Sequence, residues 1–313
     1  MSSGLSSGRL ANLVIAGVPK AGTGSLFAFL AQHPDICGSD EKETGYFNQY
    51  NPRRHTGPPA PIEEYARHFA HCAGERYALE ATPTYSYGGL PVIGALRAVL
   101  DQPKIIISLR DPTERLWSAY TFQRSLGTLG DIGSFAEYLD VVQSRRRHAS
   151  DLVPRDGLSG LYIGFYADYI GDWLEEFGDD LRIVFAEDLH RDARASVESL
   201  CCWLGIDTEV VADLDLGARN VTRHPRNMRL ARAANSLRRR TNKLGVVPPA
   251  LRRRLRRAYL RINAGGELSE RFDPDLRRHV QGLYRESNDL TAKTLAAHGY
   301  RDLPAWLGTG PAA

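Results

Sequence analysis

The chain has no apolar run near the roughly eighteen residues that a bilayer-spanning helix needs. Its longest apolar stretches, residues 13–18 and 105–107, are far shorter. The first ten residues carry glycine and serine but no hydrophobic leader core, so a cytoplasmic protein is expected. Cysteine is scarce: Cys37, Cys72, Cys201 and Cys202 are too few and too scattered in 313 residues for a disulfide framework, and reduced, buried thiols are expected. Neither CxxC nor HExxH occurs. The nearest ligand cluster, His68, His71 and Cys72 beside Glu64, fits one helix with an i,i+4 Glu64/His68 pair better than a zinc site, and no metal is expected. No short unit repeats, which excludes collagen-like, mucin-like and wholly disordered classes. What remains, 42% apolar and 25% charged, is ordinary material for one or two globular cores.

A net charge of +3 predicts nothing about partners, but its distribution is uneven. Residues 219–261 hold fifteen Lys or Arg and no acid, leaving −12 on the rest of the chain. An anion could dock there. Against this, 35 of the 40 basic residues are arginine, a chain-wide bias under which many of them simply solvate helix faces.

Apolar runs alternate with helical patterns. Residues 12–17 read as a buried strand, 17–24 as a glycine-rich turn and 25–32 as a helix. Further strands are expected at 77–81, 104–109 and 181–185, with helices at 90–100, 135–144, 161–177 and 193–204. Asp111, Pro112 and Glu114 offer an N-cap, an N1 proline and a capping-box acid for a helix through Tyr120. Strands without polar alternation suit a parallel sheet covered on both faces, so the class is α/β. After Gly205 no strand is expected. Residues 217–227 read as a loop, 228–239 and 249–262 as basic helices, and 275–297 as a long amphipathic helix.

The first chemical site is the loop Gly17-Val-Pro-Lys20-Ala21-Gly22-Thr23-Gly24-Ser25-Leu26. Strand, glycine turn and helix start together make an anion cradle, because backbone N–H groups and the helix dipole converge. A Walker A loop needs Lys and then Ser/Thr after its second glycine, the latter to hold magnesium. Those places are Thr23 and Gly24 here, and the lysine lies inside the loop. A phosphate is expected to bind there without magnesium. The second site is Ser108-Leu-Arg110-Asp-Pro112-Thr-Glu-Arg115-Leu-Trp-Ser118-Ala-Tyr120. Arg110 ends a buried strand, where parallel sheets bind ligands, and Ser118 lies two turns into the next helix. Together they suit a second phosphate.

PKAGTGSL resembles the 5′-phosphosulfate loop of sulfotransferases that use 3′-phosphoadenosine 5′-phosphosulfate (PAPS), and RDPTERLWSAY resembles their 3′-phosphate motif. Glu41-Lys42-Glu43-Thr-Gly-Tyr46-Phe47 is similar to the Lys-Glu segment of the heparan-sulfate (N-deacetylase/N-sulfotransferase and 3-O-sulfotransferase) type, and residues 164–174, 283–290 and 303–307 extend the likeness. The resemblance implies a single P-loop-like three-layer domain over residues 11–313, with a central parallel sheet in 11–204, a helical basic section in 205–313 and a flexible stretch at 1–10. It implies transfer of the sulfuryl group of PAPS to a hydroxyl, or less readily an amine, of a carbohydrate, lipid or small natural product, leaving adenosine 3′,5′-bisphosphate (PAP). No nucleic-acid partner and no integral membrane segment are expected, and a bacterial source fits.

The same resemblance assigns roles. Lys20 reaches the bridging oxygen of the leaving phosphate; Ala21, Gly22, Thr23, Gly24, Ser25 and Leu26 form the 5′-phosphate cradle; Arg110 and Ser118 take the 3′-phosphate. Glu43 is the candidate base, with Lys42 orienting it or the sulfonate. Glu80 is the second carboxylate to test, and Phe47, Thr82 and Tyr85 join Glu43 and Glu80 as candidate acceptor contacts. His33 reads as finishing the first helix rather than as a base. The chain departs from that type at Ala81, where a lysine contacts sulfated sugar, and at Gly24, where threonine is frequent. The Lys-Gly-Arg run that closes over adenosine is absent; Arg223 and Arg226 in the basic segment are the candidate substitutes. Heparan itself is therefore not implied. Two other readings stand beside this one: a phosphotransferase using the same loop, which needs magnesium, and a nucleic-acid or membrane-surface binder through residues 219–261, where Tyr259 is the only aromatic for base stacking.

Overall fold

A computed structural model describes residues 8–52, 55, 57–147, 158–217, 224–225, 264–266 and 270–308. Five strands form a parallel sheet in the order β2-β3-β1-β4-β5: β1 (Leu13–Gly17), β2 (Ile36–Gly38), β3 (Tyr77–Ala81), β4 (Lys104–Leu109) and β5 (Leu181–Phe185). Every residue of β1 and β3, and Ile105, Ile106 and Ile107 of β4, are buried. Such apolar runs fit only a sheet covered on both faces. Side chains alternate across it. Leu13, Ile15, Leu79, Ala81 and Ile106 join a core with Leu26, Phe29 and Leu30 of α1 (Thr23–Leu30), Leu189 of α8 (Ala186–Arg191) and Val197 and Leu200 of α9 (Ala193–Leu204). Against the other face pack α3 (Leu90–Val99) and α7 (Ile170–Phe177). The expected three-layer α/β fold is present.

Two compact units make up the chain. The first, Met1–Asp111, Phe165–Asn220 and Tyr284–Ala313, contains the whole parallel sheet and also α2 (Ile62–Ala66). The second, Pro112–Gly164 and Val221–Leu283, contains α4 (Pro112–Ser125), α5 (Phe135–Arg147) and α6 (Gly160–Ile163). Trp117, Tyr120, Phe135, Tyr138 and Phe272 form its aromatic core, with Trp117 stacked on Phe272 at 4.9 Å. Glu270 fastens it, accepting from Tyr120 Oη, Arg124 Nη1 and the Phe135 amide. In α10 (Pro274–Ala297), Val280, Tyr284, Ser287, Thr291 and Leu295 face inward at helical spacing.

Several elements differ from the sequence expectation. α1 begins two residues early because left-handed Gly22 (φ 82°) already turns the chain into the helix. The expected helix 161–177 breaks into α6, a 3₁₀ turn at Tyr166–Asp168, and α7. Leu161, Ile163, Phe165, Tyr166, Tyr169 and Ile170 are all buried, and no single helix stripe can hide that spacing. β6 (His224–Pro225) pairs antiparallel with β7 (Ala264–Gly266), so strands do recur after Gly205. The basic helices expected at 228–239 and 249–262 lie outside the described residues. His68 does not pair with Glu64: α2 tightens into a 3₁₀ turn at Arg67–Phe69, and His68 Nδ1 lies 2.7 Å from Asp40 Oδ1. Nor are all four cysteines reduced and buried. Cys37 in β2 is disulfide-bonded to Cys72, and Cys202 is exposed, while Cys201 is a buried thiol.

Candidate active site

The chain enters the sheet at β1 in its middle and later returns on β1's other side as β4. The crevice beyond the carboxyl ends of β1, β3 and β4 is thus the topological switch point where α/β sheets bind ligands. The loop from Gly17 to Gly22 opens there. Gly17 has no substitute: a Cβ on it would lie 2.6 Å from Ser86 Oγ. Ser86 belongs to the turn after β3, whose amide donates to the Ala16 carbonyl at 2.8 Å and whose carbonyl accepts from Trp173 Nε1 at 2.9 Å. Lys20 (φ 73°) and Gly22 (φ 82°) both adopt left-handed backbone, which folds the loop tightly over the strand end.

Donors from β4 and from Arg110, just past its end, hold the loop's carbonyls. Ser108 Oγ donates to the Ala21 carbonyl and Arg110 Nη1 to the Lys20 carbonyl at 3.2 Å, while the Val18 amide donates to the Ser108 carbonyl at 2.8 Å. In a trans peptide C=O and N–H point oppositely, so these contacts turn the Ala21 and Gly22 N–H groups away from β4. The Ala21 amide closes a turn on Val18 at 3.2 Å, and the first-turn amides of α1, from Thr23 and Gly24, add to the positive helix end. Thr23 is buried and Ser25 half-buried beside them, whereas Ala21 and Leu26 are buried and anchor the loop. Arg110 is itself positioned: Tyr166 Oη donates to its carbonyl at 2.7 Å.

Arg110 and Glu43 both act on Lys20. The Lys20 amine is pushed down to about 8, first by burial, then by the Arg110 guanidinium, with the Glu43 carboxylate partly opposing the shift. Two cations held together at a partly buried site, with a helix N-terminus beside them, are set up to receive an anion. Glu43, also left-handed (φ 68°), projects from the segment after β2 with a side chain 57% exposed and accepts from Lys42 Nζ at 2.7 Å.

The backbone carrying Glu43 is sewn to β3. Ser39 and Glu43 amides donate to the Leu79 and Ala81 carbonyls at 2.9 and 3.0 Å. Beneath lies Glu80, fully buried, whose Oε1 accepts from Thr44 Oγ1 (2.5 Å), Thr82 Oγ1 (2.7 Å) and Tyr85 Oη (2.7 Å) and whose Oε2 accepts from Tyr65 Oη (2.5 Å). Two of these hydroxyls accept in turn from the segment after Glu43, Thr82 from the Gly45 amide and Tyr85 from the Phe47 amide. Burial, then the Glu80 charge, holds the Tyr65 and Tyr85 hydroxyls well above the usual phenol range, so they remain donors. Phe47, Thr82, Tyr85 and Glu80 are therefore buried behind the Lys42–Glu43 segment rather than open to an acceptor.

Ser118 lies on α4 in the second unit and is half-buried. Arg223 and Arg226 lie outside the described residues. His33 is buried beyond α1; its Nδ1 accepts from the Asp35 amide at 3.1 Å and its Nε2 meets the Asp207 carbonyl at 2.8 Å, a structural role. Sequence reasoning gave no role to Ser108, Thr44, Tyr65 or Tyr166. Ser108 alone carried a signal, as a hydroxyl inside an isoleucine-rich strand.

Residues 10–287 match the model of the family described as the sulfotransferase domain. The chain belongs to that family. Its curated sulfotransferase relatives include the membrane-associated sulfotransferase kil1 of Dictyostelium discoideum, 35% identical over 116 residues, which are 36% of this chain and 23% of that protein. Heparan sulfate glucosamine 3-O-sulfotransferase 3B1 of Mus musculus is 27% identical over 65% of this chain and 48% of its own length. The bifunctional heparan sulfate N-deacetylase/N-sulfotransferase 1 of Caenorhabditis briggsae is 25% identical over 63% and 23%. The matched region thus spans about half or less of these relatives. A sulfotransferase crystal structure from Alicyclobacillus acidocaldarius superposes with a TM-score of 0.67 at 24% identity over 95% of this chain and 99% of that one, which establishes the shared sulfotransferase fold. No described helix is long and apolar enough to cross a membrane.

Proposed function

We propose that this chain transfers the sulfuryl group of PAPS to a hydroxyl, or less readily an amine, of a carbohydrate, lipid or small natural product, with release of PAP. The observation that carries the proposal is the placement of Lys20 at the switch point within electrostatic reach of both Arg110 and Glu43, with its amine lowered to about 8.

In-line displacement at sulfur needs a stabilised leaving phosphate, neutralisation of the equatorial oxygens and a base for the acceptor proton. The loop amides, Thr23 and Ser25 hold the 5′-phosphate. Lys20 donates to the bridging oxygen as charge grows on it, and one such donor is typically worth ~3 kcal/mol. Arg110 takes the 3′-phosphate. Glu43 accepts the acceptor proton as the oxygen attacks, and Lys42 holds the carboxylate in place. Glu80 contributes at one remove, positioning Thr44, Gly45 and Phe47 so that Glu43 keeps its strained backbone.

Incubation with radiosulfate-labelled PAPS and a panel of saccharides, lipids and phenolic or alcoholic natural products tests this. Label on an acceptor together with released PAP supports it; transfer of phosphate from ATP with magnesium, and none of sulfate, overturns it.

A further inference from the structure

One cluster of metal-ligating side chains has no part in the chemistry above. Cys37, His71 and Cys72 bring their donor atoms within 4.8 Å of one another. Cys37 is the buried middle residue of β2. Cys72 is half-buried on the turn after Phe69, its amide donating to the Phe69 carbonyl at 2.9 Å. His71 is exposed, with Nε2 3.4 Å from Cys37 Sγ and 3.0 Å from the Gly38 carbonyl. Cys37 and Cys72 are joined in a disulfide across Cα atoms 5.7 Å apart.

We propose that these residues form a two-state thiol site: a disulfide when oxidised and, once reduced, a Cys2His site for a thiophilic divalent cation of the zinc class. Thiolate–zinc bonds are about 2.3 Å and imidazole–zinc bonds about 2.0 Å, so ligands on one ion lie within ~4.6 Å of each other. The three donors, within 4.8 Å of one another, are within a few tenths of an ångström of that span, and the reduced sulfurs need only separate; half-exposed Cys72 is the side chain with room to turn. Two thiolates cancel the ion's charge, the neutral imidazole completes three protein ligands, and the fourth position faces solvent on the exposed His71 side. A cysteine pair in contact with an imidazole is a ligand set preferred by zinc over magnesium or calcium.

The chemistry balances. Two electrons and two protons open the disulfide to two thiols; a dithiol supplies them and closes to its own disulfide. Metal entry then releases two thiol protons to solvent. Both states fasten β2 to the turn at residues 67–72, whose His68 holds Asp40, three residues before Glu43. A chain that passes between reducing and oxidising surroundings thus keeps this brace, by a covalent bond in one and by a metal in the other.

Cobalt(II) added to the full-length protein, reduced with a phosphine and freed of metal, reads the site directly. The phosphine becomes its oxide, water supplying the oxygen and protons. One equivalent should give the thiolate charge-transfer and intense visible bands of a tetrahedral sulfur-ligated ion, and zinc should erase them. Cys72→Ser should abolish the bands and His71→Ala should weaken cobalt binding by about tenfold or more. The oxidised protein should give none, and the Cys201→Ser/Cys202→Ser double variant should keep them. Absence of the bands in the reduced wild-type protein, their survival in Cys72→Ser, or equal binding by the oxidised protein overturns the proposal. PAP affinity, measured on the same samples, reports folding and the nucleotide site separately.

Discussion

If Lys20 is the cation that meets the phosphosulfate, nucleotide affinity must carry its proton. The amine starts near 8 in the free protein because burial and Arg110 disfavour its charge. An arriving polyanion compensates both and returns it toward the ordinary lysine value of 10.5, which makes the bound form the better proton binder. Binding is then strongest at low pH and falls as pH rises through 8. With full restoration the drop between pH 7 and pH 9 is about tenfold, and the total available is about 3 kcal/mol, at ~1.4 kcal/mol per pH unit. Proton uptake per PAP bound rises from about 0.1 at pH 7 to about 0.9 at pH 9. Calorimetric titration of PAP in buffers of different ionisation enthalpy counts those protons. Lys20→Met should flatten the profile. Glu43→Gln, which removes the one contribution holding the amine up, should move its onset to lower pH. Affinity that is level from pH 7 to 9, or an unchanged slope in Lys20→Met, would refute the assignment.

Three further outcomes follow from the same contacts. Glu43→Gln should leave PAP affinity nearly unchanged and lower kcat at least about a hundredfold, the lower edge of general-base contributions; a mild effect in steady-state assays removes Glu43 from that role. Glu80→Gln leaves a carboxamide whose NH2 faces a hydroxyl donor, at ~1–3 kcal/mol of stability by denaturant titration; it should reduce kcat while PAP affinity holds, and an equal loss in both would make Glu80 a mere core residue. Gly17→Ala forces a methyl group onto Ser86 and should destabilise by about 1–3 kcal/mol or more. Adding Ser86→Gly should restore most of the thermal midpoint, and failure to do so would mean that the clash lies elsewhere.

The central sheet was legible because its strands are short, mostly apolar and separated by helical patterns; residues 104–109 and 181–185 were bounded as found. The turn from β1 into α1 was legible too, since glycine spacing and strand end specify it locally. β2 was not: three residues at a sheet edge, Ile36–Gly38, have neither alternation nor length to distinguish them from loop. The Cys37–Cys72 pair depends on that strand's register with β3 and on the fold of a turn 35 residues away, neither of which sequence spacing encodes. The Glu80 network escaped for a similar reason. Its carboxylate is on β3 and its four hydroxyls come from the turn after β3, the Glu43 segment and α2, and they meet only when the chain is packed.

Whether this site is built for PAPS is tested most directly by titrating PAP into the protein in the presence of a metal chelator, beside adenosine 5′-monophosphate and the Arg110→Ala variant. A nucleotide with both phosphates, bound one to one without metal, at least about tenfold more tightly than the 5′-monophosphate and lost with Arg110, is the predicted result. A protein that ignores PAP, or that binds ATP only with magnesium, contradicts it.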